Sequence, residues 1–346
     1  MAEGERWGAT WATIFSPQPV ILGIWPNLGF PLGIASALGP WLHNLAIEFL
    51  VMPAWAWELP EISGPILSAA AEHRALHPNH RFYFLCNTQA QERAFADAGW
   101  PVTTMNTNMF VDEATFFPLP ASEPLFDAVY NARLTSDKRQ DLAAGIERLC
   151  LIYYHGAELP VGAFHAEHAR LSRLMPKATF LNRLTADGCE FLDLEDINRA
   201  LNQSRVGLCL SPVEGQMRAS MEYLMAGLPI VSTPSIGGRD YFFDPDYCAI
   251  VPPDPRAIAD AVAAMVARNI PRNYVRERTL ARVKRERERF IAFVQSHIER
   301  EGGGTDFAER FSELHREQRI KDWRTDVRAF AERLDAIVLE AERFSR

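Results

Sequence analysis

The chain has 346 residues, 48% apolar and 23% charged, with a net charge of −8 at pH 7. Such a chain is long enough for about two globular domains with sizeable cores, and its acidic balance excludes a protein that grips nucleic acid through a broad basic face. It has no run of about 18 apolar residues to span a membrane, and its start lacks a basic-then-apolar leader, so a cytoplasmic protein is expected.

In chain order, short apolar runs alternate with helical patterns, as a parallel α/β sheet requires. Val20–Ile24 reads as a strand that ends in a loop holding Pro26, Asn27, Gly29 and Gly33. A second strand is expected over Leu45–Met52, a helix over Ile62–Leu76, and a strand over Arg81–Cys86. Thr88 is placed to cap a helix running to Ala98, and Val102–Met105 follows as a strand. Phe110–Pro124, rich in proline and acidic residues, reads as a linker. A second series then begins, with a strand over Phe126–Tyr130, a helix over Ser136–Arg148, a strand over Leu149–Tyr153 and a helix over Ala163–Leu174. Short strands are expected at Ala178–Leu181 and Glu190–Leu192, and Asp193 caps a helix to about Gln203. The buried strand Val206–Leu210, a helix over Met217–Ala226, the strands Pro229–Ser232 and Cys248–Val251, and the helix Pro255–Ala267 complete the series. From Arg272 the chain turns helical and charged, split by Gly302-Gly303-Gly304. The interleaved charges of Arg276–Arg289 read as a solvated helix face. These helices could pack back on the domains or pair with a second subunit.

The five cysteines are an odd number in apolar runs, which fits buried free thiols better than disulfides or zinc. Six tryptophans, Trp7, Trp11, Trp25, Trp41, Trp55 and Trp57, crowd the first 57 residues. Two readings stand: core and domain-interface packing, or an acceptor platform or membrane-surface contact.

The most informative stretch is 206–240. The strand there leads through Ser211-Pro212-Val213-Glu214-Gly215-Gln216 into a helix beginning at Met217. Ligands of doubly wound sheets sit at the carboxyl ends of strands, where a helix start offers free N–H groups suited to phosphate and Gly215 allows close backbone approach. Glu214 and Glu222 lie eight residues apart, about 12 Å of helix axis, a span comparable to the distance from a ribose to a sugar across a diphosphate. By spacing alone two such glutamates are more often surface charges.

The run from Glu214 to Thr233, a Glu, seven residues and a Glu followed by Met-Ala-Gly-Leu-Pro-Ile-Val-Ser-Thr, resembles family-4 glycosyltransferases. Ser235–Asp240 matches the glycine turn that follows in that family. Asp127–Arg139 is similar to its first donor-domain strand, with Arg133 and the downstream Lys138. Phe84–Arg93, Asn108–Asp112 and Trp55–Pro60 extend the likeness, which spans about Trp55 to Val266. The resemblance implies a GT-B fold, α/β, of two Rossmann-like domains: a short acceptor-side domain over 1–108, a linker over 109–124, a donor-binding domain over 125–270, and charged C-terminal helices over 271–346.

The resemblance also implies roles. Arg133 and Lys138 would neutralise the diphosphate, Glu214 would hold the donor sugar, and Glu222 the ribose. Arg139 would share or replace the role of Lys138. Gly215, Gln216 and Met217 would line the donor; Gly237, Gly238 and Arg239 either form a loop near its phosphates or make a purely structural turn; and Asn27, Gly29 and Gly33 would form the loop that faces the diphosphate from the acceptor domain. The base would lie near Glu190–Leu194. No separate cofactor and no metal is expected: the donor is itself a nucleotide diphosphate sugar, UDP- or GDP-linked first, and Asp244-Pro-Asp246 sits beyond the glycine turn. Such enzymes retain anomeric configuration. The partners implied are the donor and a hydroxyl acceptor, with peripheral membrane contact and self-association through the C-terminal helices as further expectations. The acceptor-side domain is short for the family, and none of His43, His73, His77 and His80 can be assigned as its site histidine. The alternative is a non-catalytic partner that keeps a nucleotide-sugar pocket; another GT-B enzyme is the third reading.

Overall fold

A computed structural model describes residues 11–26, 29–39, 42–52, 55–120, 123–156, 159–316 and 327–344. The chain divides into two compact units, Met1–Phe110 with Lys284–Arg346, and Val111–Val283. The sequence reading set 271–346 apart; in the structure 284–346 belongs with the N-terminal residues.

The first unit is built on β1 (Trp11–Pro17), β2 (Val20–Trp25), α1 (Ile34–Leu38), β3 (Ile47–Val51), α2 (Pro60–Leu76), β4 (His80–Cys86), α3 (Gln89–Asp97) and β5 (Val102–Thr104). Its sheet has the order β1-β2-β3-β4-β5. β1 pairs antiparallel with β2, and the other neighbours are parallel. β2 and β3 are buried along their whole lengths, as strands covered on both faces are, with Glu48 the one charged residue among them. Trp57 lies in this core with half-buried Trp55 packed against it, and Trp25 is buried, which supports packing for those rings; Trp7 and Trp41 fall outside the described residues. Thr88 caps α3 by accepting the Gln91 N–H. The unit is smaller in its first 110 residues than a full Rossmann domain. Its C-terminal helices complete it, with Phe330, Ala331 and Leu334 in the same core and Phe15 stacked edge-on against Phe290 and Phe307.

The second unit continues with β6 (Phe126–Arg133), β7 (Leu149–Tyr154), α4 (Val161–Leu174), β8 (Thr179–Phe180), β9 (Leu184–Thr185), β10 (Gly188–Cys189), α5 (Leu194–Asn202), β11 (Ser204–Cys209), α6 (Arg218–Met225), β12 (Ile230–Ser232), β13 (Cys248–Ile250) and α7 (Pro255–Arg268). Its six-stranded sheet is parallel, with the order β13-β12-β11-β6-β7-β8. The chain builds outward from β6 on one side, then returns to build outward on the other. The point of reversal therefore lies between β6 and β11, where a doubly wound sheet opens a crevice at the carboxyl ends of its strands.

Three expectations fail here. Ser136–Arg148 is not a helix but two short 3-10 turns, Ser136–Lys138 and Gln140–Ala143, joined at Arg139 with φ of 49°. Residues 190–192 form no strand; the preceding residues make the β9–β10 hairpin instead. The Arg-rich run is not simply solvated. In α8 (Arg272–Arg300), Val275, Thr279, Val283, Glu286, Phe290, Val294 and Ile298 form a buried stripe. Its arginines turn to loop carbonyls, Arg272 to Ala226 and Asn202, Arg276 to Phe116 and Met225, and Arg282 to Tyr241 and Phe243. Helices α9 (Phe307–Arg316) and α10 (Val327–Phe344) follow. All five cysteines are free, four of them buried and Cys189 half-buried. Among the described residues no helix is long and apolar enough to cross a membrane.

Candidate active site

The two segments that leave the reversal point meet in an ion pair. Lys138 lies five residues past the end of β6, and Glu214 lies five residues past the end of β11. Lys138 Nζ donates to Glu214 Oε1 at 2.5 Å, and both side chains are more than nine-tenths buried. Asp137 stands 3.3 Å from the same ammonium group. Burying both charges carries a desolvation cost that only close pairing and further hydrogen bonds offset. Tyr130, buried in β6, fixes the Lys138 main chain: its hydroxyl donates to the Lys138 carbonyl at 2.7 Å.

The loop that carries Glu214 is held from the far side by the glycine turn. The Glu214 N–H donates to Ile236 O, the Ile236 N–H to Pro212 O, and the Gly238 N–H to Gly215 O, each at 2.9 Å. Gly237 has φ of +105°, and a Cβ there would fall 1.9 Å from the Glu214 carbonyl oxygen. Only glycine permits that approach. Gly237 and Gly238 therefore shape the loop that presents Glu214. Gln216 is buried, and Met217, left-handed at φ of 42°, precedes α6.

Arg139 and Arg239 point elsewhere than the sequence reading placed them. Arg139 was expected to share the Lys138 role; its guanidinium instead turns inward, to Leu210 O at 2.7 Å and Thr233 Oγ1 at 2.8 Å. Arg239, expected in a loop beside the donor, is fully buried. It donates to Ser211 O at 2.9 Å, Ser232 Oγ at 2.8 Å, Thr233 O at 2.5 Å and the Asp240 carboxylate at 2.6 Å.

Glu222 lies in α6, and its Oε2 accepts from Asn131 Nδ2 of β6 at 3.2 Å. Burial pushes its carboxyl above the usual range, against the opposing pull of Arg218 and the Asn131 bond. Glu214 and Glu222 do not share a helix. The helix begins only at Arg218, so the 12 Å spacing inferred from a continuous helical rise does not apply. Next to Glu222, the Tyr223 hydroxyl accepts the Asn131 N–H at 2.6 Å, which ties α6 to β6.

Arg133 ends β6 in register with Tyr154, the last residue of β7. Tyr154 lies beside Phe191, ring centroids 6.0 Å apart, and Phe191 is 73% exposed. Phe191 sits just before Asp193, which caps α5 by accepting the Asp196 N–H at 2.7 Å. Gly29 belongs to the turn after β2 in the first unit; Asn27 lies outside the described residues. Among the described residues no group of three or more His, Cys, Asp or Glu side chains is placed to hold a metal ion. Sequence reasoning missed Tyr130 and the inward turn of both arginines. Tyr130 reads as one more apolar strand residue, and partners 71 to 94 residues away leave no local trace.

Chemically, the site brings fixed cations to one end of the sheet. Lys138, Arg139 and Arg239 gather at the ends of β6, β11 and β12, matched by Asp137, Glu214 and Asp240. Fixed cations in a low-dielectric pocket are the groups that stabilise an anion.

Residues 163–268 match the family described as Glycosyl transferases group 1, a segment that includes both Glu214 and Glu222. Among solved structures, the Anabaena protein Alr3699/HepE in complex with UDP is similar, at 16% identity and a TM-score of 0.52, over 75% of this chain and 80% of that one. The same protein with UDP and glucose aligns at 14% identity and a TM-score of 0.53, over 75% and 79%. Sucrose-phosphate synthase from Thermosynechococcus elongatus aligns at 16% identity and a TM-score of 0.50, over 83% and 77%. No curated protein matches the sequence significantly. The expected fold class is borne out: the chain has the α/β, GT-B type of fold of these glycosyltransferases, and residues 163–268 carry the group 1 match.

Proposed function

We propose that this protein is a retaining glycosyltransferase that moves a sugar from a nucleotide diphosphate donor to a hydroxyl acceptor. The observation that carries the proposal is the buried Lys138–Glu214 pair at the reversal point of the second unit's sheet. Lys138, with Arg133 nearby on β6, neutralises the charge that grows on the leaving diphosphate. Glu214 spends Oε1 on Lys138 and offers Oε2 to a sugar hydroxyl. Glu222 accepts the ribose hydroxyls, and the base lies against the Tyr154–Phe191 pair, whose exposed face suits stacking.

In the reaction the acceptor oxygen attacks C1 from the face the diphosphate leaves. The C1–phosphate oxygen bond breaks, the C1–acceptor bond forms, and a phosphate oxygen takes the acceptor proton. No carboxylate nucleophile is then needed, and Lys138 and Arg133 supply positive charge without a metal. The similar Anabaena structure contains UDP and glucose, which puts UDP-glucose first among donors to try and GDP-sugars next.

A thermal-shift screen against UDP-, GDP-, ADP- and dTDP-sugars tests donor binding, since a ligand of the folded state raises the melting temperature. Donor hydrolysis with purified protein tests turnover. Wild-type hydrolysis that survives Lys138→Ala combined with Arg133→Ala would sink the assignment. Binding with no hydrolysis would instead make the chain a nucleotide-sugar-binding partner.

A further inference from the structure

The carbonyls just beyond β11 have run out of neighbouring strand; the last within it, Cys209 O, still receives the Thr233 N–H at 3.0 Å. β11 pairs with β12 only as far as Cys209 and Ser232. Past that point the carbonyls of Leu210 and Ser211 are taken by side chains that arrive from two different segments. Arg139 comes from the β6 side and holds Leu210 O and Thr233 Oγ1. Arg239 comes from the glycine turn and holds Cys209 O at 3.3 Å, Ser211 O at 2.9 Å, Ser232 Oγ at 2.8 Å and Thr233 O at 2.5 Å. The guanidinium fork, with five N–H donors in a fixed plane, can join several carbonyls in this way where an ammonium cannot.

We infer that Arg139 and Arg239 are positioning residues, a pair of guanidinium groups that clamp the ends of β11 and β12 and thereby set where Glu214 meets Lys138. The inference rests on the glycosyl-transfer reading for the reaction it serves, but its geometry stands apart from that reading. Arg139 directly follows Lys138, so one dipeptide is fastened twice to the segment 210–214: by the Arg139 bond to Leu210 O and by the Lys138 bond to Glu214. Arg139 also adopts φ of 49°, a left-handed conformation that favours glycine and that a bulky residue keeps only when its surroundings demand it. In that conformation the guanidinium reaches back to Leu210 and Thr233 while Lys138 meets Glu214. Arg239 has a carboxylate partner in Asp240, whereas the Arg139 bonds go to a carbonyl and a hydroxyl.

The test compares Arg139→Gly and Arg139→Lys with the wild type. Arg139→Gly removes the clamp while suiting the left-handed backbone. Expected are a tenfold or greater rise in hydrogen-exchange rate for the amides of 211–216 and no change in α4. UDP affinity should shift less than threefold, and kcat for UDP-glucose hydrolysis should fall tenfold or more. Arg139→Lys should recover part of kcat. Wild-type exchange in 211–216, or exchange raised equally throughout the second unit, would overturn the clamp. A UDP affinity more than tenfold weaker with unchanged kcat would also overturn it, in favour of direct phosphate contact. If the wild type neither binds nor hydrolyses any nucleotide sugar, the transfer reading falls, and the exchange result alone decides the clamp.

Discussion

The two units share a Rossmann-like plan yet place their buried charge at opposite ends of it. In the second unit Lys138, Glu214, Arg139 and Arg239 collect where the strands end. In the first unit the buried titratable groups collect where the strands begin. Glu48 pairs with His297 and, at 3.3 Å, with Arg300 near the start of β3, and His73 meets His80 at 2.8 Å at the start of β4. At the carboxyl ends, the first unit gathers mainly amides and hydroxyls: Asn87 Oδ1 accepts from the Thr107 N–H at 3.0 Å, and Asn106 Nδ2 donates to Asn87 O at 3.2 Å. Glu286, which receives the Asn106 N–H, is itself paired with Arg289 at 2.6 Å. The difference teaches that one sheet architecture can spend charge on chemistry at one end or on cohesion at the other.

The sharpest way to break the comparison is Lys138→Ala. It leaves Glu214 buried and unpaired, so it should cost about 3 kcal/mol or more of stability and about a hundredfold in kcat. Lys138→Met with Glu214→Gln should recover the stability, read by denaturant unfolding, but not the turnover. If the pair merely held the fold together, turnover would return with it.

Acid should strike the first unit next. Burial, with His80 and His77 adding to it, pulls His73 down to about 4, and burial lowers His77 and His80 as well. As pH falls below 6.5 the unfolded chain takes up protons that folded His73 refuses until about pH 4. Stability present at neutral pH is therefore lost across that window, by roughly 3 kcal/mol. Faster amide exchange in α2 at pH 4.5 than at pH 7, after correction for the intrinsic rate and with α5 unchanged, would confirm it; equal loss in both would remove the contrast.

Gly237→Ala should come third. A Cβ against the Glu214 carbonyl at φ of +105° should cost about 2 kcal/mol and weaken donor binding measured by calorimetry. Smallest is Glu222→Gln, a few-fold loss of nucleotide affinity. Because burial raises the Glu222 carboxyl, wild-type affinity should rise with pH as that group ionises, and the variant should lose this slope.

Much of the second unit was legible in its residues. The apolar runs mark the strands, Asp193 caps its helix as read, and the Glu214–Glu222 motif leads to the loop at the reversal point. The segment after β6 was not legible, because helical spacing over 136–148 is overridden by what Arg139 reaches across the fold; tertiary contacts routinely outweigh propensity. β1 went unread, since an antiparallel edge strand of mixed composition has no clear alternation. The charges of α8 looked solvated because interleaved signs say nothing of carbonyls contributed by distant loops. Phe191 looked like part of a strand, while its exposure depends on the hairpin that displaces it.

The boundary inside α8 has a consequence for dissecting the molecule. The first unit is made of two separated stretches of chain, Met1–Phe110 and Lys284–Arg346, while the second is one uninterrupted stretch, Val111–Val283. The second is thus an insertion within the first. Cutting the gene after codon 283 would strip the first unit of Phe290 and Phe307, which pack on Phe15, and would leave that unit incomplete. Excising 111–283 and bridging its ends keeps each unit's own residues together, and is the route by which the two could be studied apart.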